Sequence, residues 1–344
     1  MILFYILLVI LIVSRLQFQP KGYYSDYLSF DTTNAIKGIF IALVFIMHVT
    51  PYIINSGYTF DNSFLNKLFL FINAHVGQWI VAMFLFYSGY GVMESIQKKG
   101  KNYVTTIPGK RVLTTLVNFD IAVALFAVIS IFTTNDYTIK DYLFSFIGWE
   151  SVGNSNWYIF VIMLCYLITY ISFRKNADNI YKCCLRCLTL LLISVIALSF
   201  LKPTWWYDTM LCFGLGISYS ILRERIESII KRYYWLIVPI LLLLLVCLGK
   251  IPYSIKGLVY NAYCMVFCLL IITLSMKIKI NNSFLIWSGQ NLFPLYIYQR
   301  VPMIILSSIY GGTFISSYPV LYTAVCLLIT LLFAYFYKYW AVKL

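Results

Sequence analysis

Four ionisable side chains stand inside long apolar stretches of this 344-residue chain: His48, His75, Asp120 and Arg300. Such groups are costly at bilayer depth, and by default they are either functional or held in a structural pair. An imidazole suits proton transfer near neutral pH better than any other side chain. Arg300 has the charge either to neutralise a developing anion or to form a buried ion pair with Asp120, and the sequence leaves both roles open.

His48 is the strongest candidate for a functional residue among these four, because a lysine lies on the same face of its predicted helix. Lys37 precedes it by eleven positions, and eleven steps of about 100° come to roughly 20° past three full turns. The two side chains are therefore aligned and about 16 Å apart along the helix axis. One face thus carries a cation near a membrane surface and an imidazole near mid-membrane. A hydrogen-bonded structural histidine is the alternative interpretation.

The elements that position these residues must be membrane helices. The chain is 62% hydrophobic and only 11% charged, whereas soluble domains are about 25% charged. Its mean hydropathy is +0.84. This composition excludes a water-soluble enzyme, a nucleic-acid-binding domain and a disordered tail.

Apolar runs near bilayer length predict an all-α, polytopic integral membrane protein with about 10–11 transmembrane helices in one bundle. We interpret residues 1–344 as a single integral membrane domain, in which residues 1–30 form an extra N-terminal membrane segment and loop. The predicted spans are approximately 2–14, 36–56, 72–94, 113–132, 157–173, 188–201, 208–222, 235–249, 257–276, 284–309 and 319–338.

The positions of the basic residues predict the orientation of these spans. When alternate loops are assigned to alternate sides, one side collects 20 of the 26 lysines and arginines, among them Arg15, Lys21, Lys37, Lys98, Arg111, Arg223, Lys277, Lys279 and Lys343. Lys140 is among the five assigned to the other side. Because basic loops stay in the cytoplasm, we expect a multi-pass protein of the inner (plasma) membrane with a cytoplasmic C-terminus. The net charge of +14 then reflects topology and contact with membrane lipids, not a nucleic-acid partner.

The nine cysteines do not indicate a metal site. They have neither a matching histidine nor the second cysteine pair that such a site requires, so we expect no metal.

Five motifs follow one another between residues 31 and 310. They are Lys37-Gly38 with His48, the segment Phe84–Gly91, the basic loop Tyr103–Arg111, Asn156-Trp157-Tyr158, and the segment Trp287–Gln299. In order and spacing they resemble the acyltransferase-3 family, integral membrane enzymes that acylate hydroxyls of extracytoplasmic glycans or lipids. That family usually has arginine where this chain has Lys37, and many members have a second histidine where this chain has Gln299. Lysine keeps the positive charge of arginine but loses its bidentate geometry.

The resemblance implies an O-acyltransferase whose donor substrate is acetyl-coenzyme A or another acyl-coenzyme A, with no permanently bound cofactor. Lys37, Lys110 and Arg111 would bind the donor phosphates. His48 would act as general base on an acceptor hydroxyl of a glycan or lipid-linked sugar, with Arg300 as a second catalytic residue. Contacts to the acceptor or to the oxyanion are expected from a further set: His75, Tyr87, Ser88, Trp157, Asn291, Tyr296 and Gln299.

A transporter or flippase of a lipid-linked saccharide is the alternative function, since it would also use polar residues at mid-membrane. Against it, the sequence has neither an inverted repeat nor a matched pair of broken spans.

Two further expectations concern the surfaces of the bundle. Glu94 and Lys98 should form a solvated cytoplasmic face, and one or more of four tryptophans should lie near an outer opening: Trp149, Trp157, Trp205 and Trp206.

Overall fold

The computed structural model describes residues 1–133, 137–175, 179–251 and 258–343, without the side chain of His75. The described residues form an all-α protein with one small two-stranded ladder. The helices are α1 (Ile2–Val13), α2 (Phe30–Asn55), α3 (Phe64–Lys99), α4 (Lys101–Val104), α5 (Thr114–Ile131), α6 (Ile139–Ser145), α7 (Trp157–Phe173), α8 (Ile180–Leu201), α9 (Leu211–Gly249), α10 (Leu258–Ser275), α11 (Ser283–Gln290), α12 (Leu292–Tyr298), α13 (Arg300–Ser317) and α14 (Pro319–Phe336). The strands are β1 (Leu16–Phe18) and β2 (Ile278–Ile280), and a π-helical turn at Pro108–Leu113 leads into α5.

The all-α, polytopic prediction is confirmed. Each predicted apolar segment falls on helix over most of its length. Within the described ranges, eight helical stretches are long and apolar enough to cross a bilayer. α1 and α7 are shorter apolar helices of 12 and 17 residues.

α9 contains two of the predicted spans, joined by a kink at Tyr233, whose φ and ψ of −121° and 27° are not helical. A straight helix of its 39 residues would be about 58 Å long. Instead, both ends of α9 lie beside the start of α10. The Leu211 amide donates to Asn261 Oδ1 at 2.9 Å, and a Cβ on Gly249 would lie 3.0 Å from the Tyr263 hydroxyl. The two halves of α9 therefore fold back on each other.

The single span predicted at 284–309 is wrong in detail, because the structure divides it into α11, α12 and α13. The backbone leaves helical geometry at Asn291 (φ −100°, ψ 30°), whereas Gln299 keeps helical dihedral angles (φ −58°, ψ −30°) and only the hydrogen-bond ladder is interrupted there. Each break lies three residues before a proline, Pro294 or Pro302. Proline has no N–H to donate to the carbonyl four residues before it, so the ladder is interrupted before each one.

Glycines bring neighbouring helix backbones into direct contact at two crossings. A Cβ on Gly38 of α2 would overlap the Leu285 carbonyl of α11, and one on Gly289 would overlap the Asn34 carbonyl. At the second crossing, Gly89 of α3 and Gly216 of α9 meet the carbonyls of Phe213 and Phe86 in the same reciprocal way. Small residues of this kind allow membrane helices to pack closely. They fix α2 and α3 against the rest of the bundle.

The segment between α1 and α2 is tied to the same end of the bundle as β2. β1 pairs antiparallel with β2, and the buried Lys277 ammonium donates to the carbonyls of Gln19, Pro20 and Gly22. The Tyr27 hydroxyl donates to Glu227 Oε1 at 2.9 Å. Burial raises the pKa of Tyr27, so this hydroxyl keeps its proton and remains a donor. Residues 19–29 therefore form a fixed wall at this end.

Candidate functional site

A single uninterrupted helix, α2, carries both Lys37 and His48. The Ser29 hydroxyl caps its first turn by accepting from the Thr32 amide at 3.3 Å. Near the other end, Pro51 has no N–H to bond to the Met47 carbonyl, so the helix is weakened beside His48. The alignment predicted from the spacing is retained, because the eleven steps from Lys37 to His48 all lie within this helix.

His48 lines a cavity of about 190 Å³, which we call the His48 cavity. Its imidazole Nδ1 and the side-chain oxygen Oε1 of Gln78, another lining residue, are buried and have no hydrogen-bond partner in the described part of the chain. Buried polar atoms without partners are rare and are often found at binding sites. The cavity is lined by Val44, Met47, His48, Gly77, Gln78, Val81, Trp157, Trp205 and Tyr296.

Arg300 lies beside this cavity and not in an ion pair. Its Nη2 lies 3.5 Å from the Tyr52 hydroxyl, and its charge acts on His48 and Tyr296. Asp120 Oδ1 has no hydrogen-bond partner, and neither residue belongs to an ion pair within the described ranges. The interpretation of Arg300 and Asp120 as a structural pair is therefore wrong.

Lys37 lines a second, larger cavity of about 590 Å³, which we call the Lys37 cavity. It contains four basic side chains and two carboxylates, together with polar residues of α2, α3 and α7. Its lining residues are Ser25, Asp26, Leu28, Ser29, Phe30, Thr33, Lys37, Tyr87, Ser88, Tyr90, Gly91, Val92, Glu94, Lys98, Arg111, Tyr166 and Arg223.

The carboxylates of the Lys37 cavity already have cationic partners. Asp26 is paired with Lys279, and Glu94 lies 3.8 Å from Lys98. Glu227, outside the cavity, holds Arg223 at 2.6 Å.

Two of the cations in this cavity are left without a carboxylate. Lys37 Nζ lies 5.6 Å from the centroid of the Tyr87 ring, and Arg111 Nε donates to the Tyr103 hydroxyl at 3.2 Å. Neither forms an ion pair within the described residues. The charge of both side chains is therefore free for an anionic ligand.

Three aromatic rings in mutual contact connect the surroundings of the two cavities, which have no described lining residue in common. The ring centroids of Phe84 and Tyr158 are 6.1 Å apart, and those of Tyr158 and Tyr296 are 5.4 Å apart. His48 packs on Tyr296 at 6.2 Å, whereas Ser88 of the Lys37 cavity lies next to Tyr158. We call Phe84, Tyr158 and Tyr296 the aromatic layer.

The predicted site residues divide between the two cavities. Trp157 and Tyr296 join His48, whereas Tyr87, Ser88 and Arg111 join Lys37. The buried Tyr87 hydroxyl has no partner among the described residues. The side chain of His75 lies outside the described part of the structure.

Three other predicted residues lie away from both cavities. Lys110 is exposed and lines neither. Asn291 donates to the Trp287 carbonyl at 2.9 Å at the start of α12, a local structural contact. Gln299 is fully buried, donates to the Tyr296 carbonyl at 2.9 Å, and lines a separate apolar cavity beneath α1. Asn291 and Gln299 are thus not contacts of the His48 cavity.

The sequence also left some functional residues unrecognised. Glu94 and Lys98 were expected on a solvated face. The Lys98 side chain is indeed 74% exposed, whereas that of Glu94 is 23% exposed, and both line the Lys37 cavity together with residues of the segment 25–29. Arg223 was recognised only as a loop charge. Gln78 could have been found, since it is an isolated amide within an apolar stretch of α3. Trp157 and Trp205 line the His48 cavity, whereas Trp149 and Trp206 pack around Lys202.

A family model described as an acyltransferase domain matches residues 30–338, from the first residue of α2 to beyond α14. The chain belongs to the acyltransferase-3 family. Comparison with curated proteins and with solved structures gave no match. Membership of this family identifies the chain as a multi-pass membrane acyltransferase. Residues 1–29 lie outside the matched region. Four of them nevertheless line the Lys37 cavity: Ser25, Asp26, Leu28 and Ser29.

Proposed function

We propose that this acyltransferase moves an acyl group, most simply acetyl, from cytoplasmic acyl-coenzyme A to a hydroxyl of an extracytoplasmic or lipid-linked glycan. The observation that carries the proposal is that α2 presents Lys37 to one cavity and His48 to another. A phosphate-rich donor suits the cationic cavity, and a proton transfer suits the imidazole. The acetyl group and the glycan acceptor are taken from the family resemblance.

The Lys37 cavity is the proposed donor site. Its volume of about 590 Å³ falls within the usual range of about 300–1,000 Å³ for cofactor-sized ligands. Lys37 and Arg111, which have no carboxylate partners, would bind the donor phosphates. The buried Tyr87 hydroxyl, below the Lys37 ammonium, would donate to a polar group further along the donor arm.

The proposed chemical step takes place in the His48 cavity. The acceptor oxygen attacks the thioester carbonyl carbon while His48 takes the hydroxyl proton, which gives a tetrahedral intermediate and an imidazolium ion. The carbon–sulfur bond then breaks, and the imidazolium returns the proton to the departing thiolate. The products are an ester of the acceptor and free coenzyme A. The nearby Arg300 charge would stabilise the oxyanion.

The acceptor would approach on the aromatic and polar side of the same cavity. Trp205 is 44% exposed and, with Trp157, offers ring faces on which a sugar can pack. Gln78 Oε1 lacks a donor in the described residues and would accept from a second hydroxyl of the sugar. Gln78 would thereby orient the reacting hydroxyl toward His48.

The donor would have to extend from one cavity to the other. Lys37 is about 16 Å from His48 along α2, so a donor whose phosphates are bound at Lys37 would run past the aromatic layer to bring its thioester to the imidazole.

The experiment that tests the proposal uses the purified chain in detergent, acyl-coenzyme A labelled in the acyl group, and surface glycan as acceptor. We expect the label to appear in the glycan as an ester that mild base releases, together with free coenzyme A. If the protein instead moves a lipid-linked saccharide across vesicles and transfers no label, the proposal is wrong and a transporter is favoured.

A further inference from the structure

The His48 cavity is lined by two chemically different sets of side chains. Val44, Met47 and Val81 form an aliphatic set, while Gln78 and the two tryptophans described above form a polar and aromatic set. A sugar hydroxyl needs hydrogen-bonding partners, whereas a hydrocarbon chain needs apolar contacts. The two sets therefore suit two different reactants.

Met47, one of the aliphatic lining residues, packs on a glycine of the neighbouring helix. A Cβ built on Gly77 of α3 would lie 2.9 Å from the Met47 Cε methyl, so the methionine packs directly on the glycine backbone. Both residues line the cavity, and Met47 immediately precedes His48. The end of a flexible side chain thus forms the wall next to the proposed base.

We propose that Met47, packed on Gly77, sets the maximum length of the acyl group that the enzyme transfers. This inference rests on the proposed function, because it assumes that a thioester reaches His48 from the Lys37 cavity. The acyl group is the far end of the donor arm, so beyond the thioester carbon it must extend into the His48 cavity. The aliphatic residues would contact it there, and the cavity volume of about 190 Å³ limits how long it can be.

Substitutions of the two residues should change acyl selectivity in opposite directions. Met47→Ala removes the wall, so the ratio of kcat/KM for butyryl-coenzyme A to that for acetyl-coenzyme A should rise about tenfold, the lower end of what a methylene contributes in an apolar pocket. Gly77→Ala adds a methyl group only 2.9 Å from the present position of the Met47 methyl. It displaces the methionine into the cavity, and the same ratio should fall.

The matched control is Met265→Ala in α10, a partly buried methionine that lines neither the His48 cavity nor the Lys37 cavity. It should leave the butyryl-to-acetyl ratio unchanged. Thermal unfolding of each variant reports on folding, and if Gly77→Ala does not fold, the Met47→Ala ratio alone decides.

The outcomes separate this inference from the proposed function. If Met47→Ala transfers acetyl but keeps the wild-type ratio, or changes only the KM for the acceptor, the inference is wrong and the proposed function stands. If the wild-type chain transfers no acyl group from coenzyme A, the proposed function itself is wrong.

Discussion

At the scale of single residues, the most informative pattern in the sequence was the spacing of Lys37 and His48. It predicted their alignment because α2 is a regular helix, and helical geometry depends only on residue separation. The cavities around them could not be predicted, because they depend on which distant helices pack beside α2. Lys110 and Arg111 show the limit. They are neighbours in one π-helical turn, and only Arg111 lines the Lys37 cavity.

Removal of the Lys37 charge should weaken donor binding with little effect on the chemical step. Lys37→Ala removes a charge-assisted contact worth about 1.5–3 kcal/mol, so the KM for acyl-coenzyme A should rise roughly 10-fold to 100-fold. The kcat should change little, because the ammonium is about 16 Å from the reacting carbon along the helix. Steady-state kinetics with varied donor concentration measures both values.

Lys110→Ala is the matched control for this substitution, because Lys110 is exposed and lies outside the Lys37 cavity. It should leave the KM unchanged. Equal increases in KM for the two variants would contradict a specific donor site at Lys37 and would indicate general attraction by the basic surface.

At the scale of elements, apolar run length predicted where helices lie but not how they turn. The kink at Tyr233 in α9 has neither glycine nor proline at that position to signal it. The breaks around α12 do carry a signal, since a proline follows each by three residues. The helix crossings at glycines were not predictable from the sequence. A glycine within an apolar helix is equally compatible with a position that no other helix backbone approaches. Gly89 and Gly91 of α3 illustrate this, since a Cβ on Gly89 would overlap the Phe213 carbonyl, whereas one on Gly91 would meet nothing within 4 Å.

The crossing of α3 and α9 should be intolerant of any side chain. In Gly216→Ala, the added methyl overlaps the Phe86 carbonyl, so the helices must separate. Overpacking of this kind typically costs about 1–3 kcal/mol of unfolding free energy. Thermal unfolding in detergent should therefore show a lower Tm than that of the wild type.

Gly109→Ala provides the comparison, since a Cβ there would meet nothing within 4 Å. Its Tm should remain at the wild-type value. If the two alanine variants unfolded at the same temperature, the direct backbone contact between α3 and α9 would be contradicted.

At the scale of the whole molecule, the placement of charge and the fold agree with each other. The loops that contain β1 and β2 were assigned to the same side from their basic residues, and the two strands pair. Lys37, Lys98, Arg111 and Arg223 were assigned to that side too, and they line one cavity. For these residues, the assignment to one end of the bundle agrees with the structure. It could not predict that residues 25–29 close this cavity.

The proposed orientation predicts which positions a membrane-impermeant thiol reagent reaches in intact cells. Cysteines introduced at two exposed positions, Lys140→Cys and Lys343→Cys, should differ. The former should be labelled from outside, and the latter only after the membrane is opened. Replacement of the exposed Cys247 by serine removes background labelling. Labelling of Lys343→Cys alone in intact cells would place the Lys37 cavity on the outside and contradict a cytoplasmic donor.

The central claim is that the His48 imidazole carries out the proton transfer, and single-turnover acyl transfer by His48→Gln tests it most directly. Glutamine keeps a polar side chain but cannot act as a base, so we expect a loss of about 10²-fold to 10⁴-fold in the transfer rate. Coenzyme A affinity and Tm should stay at wild-type values, because the donor is bound in the Lys37 cavity. Transfer at the wild-type rate by well-folded His48→Gln protein would contradict the account.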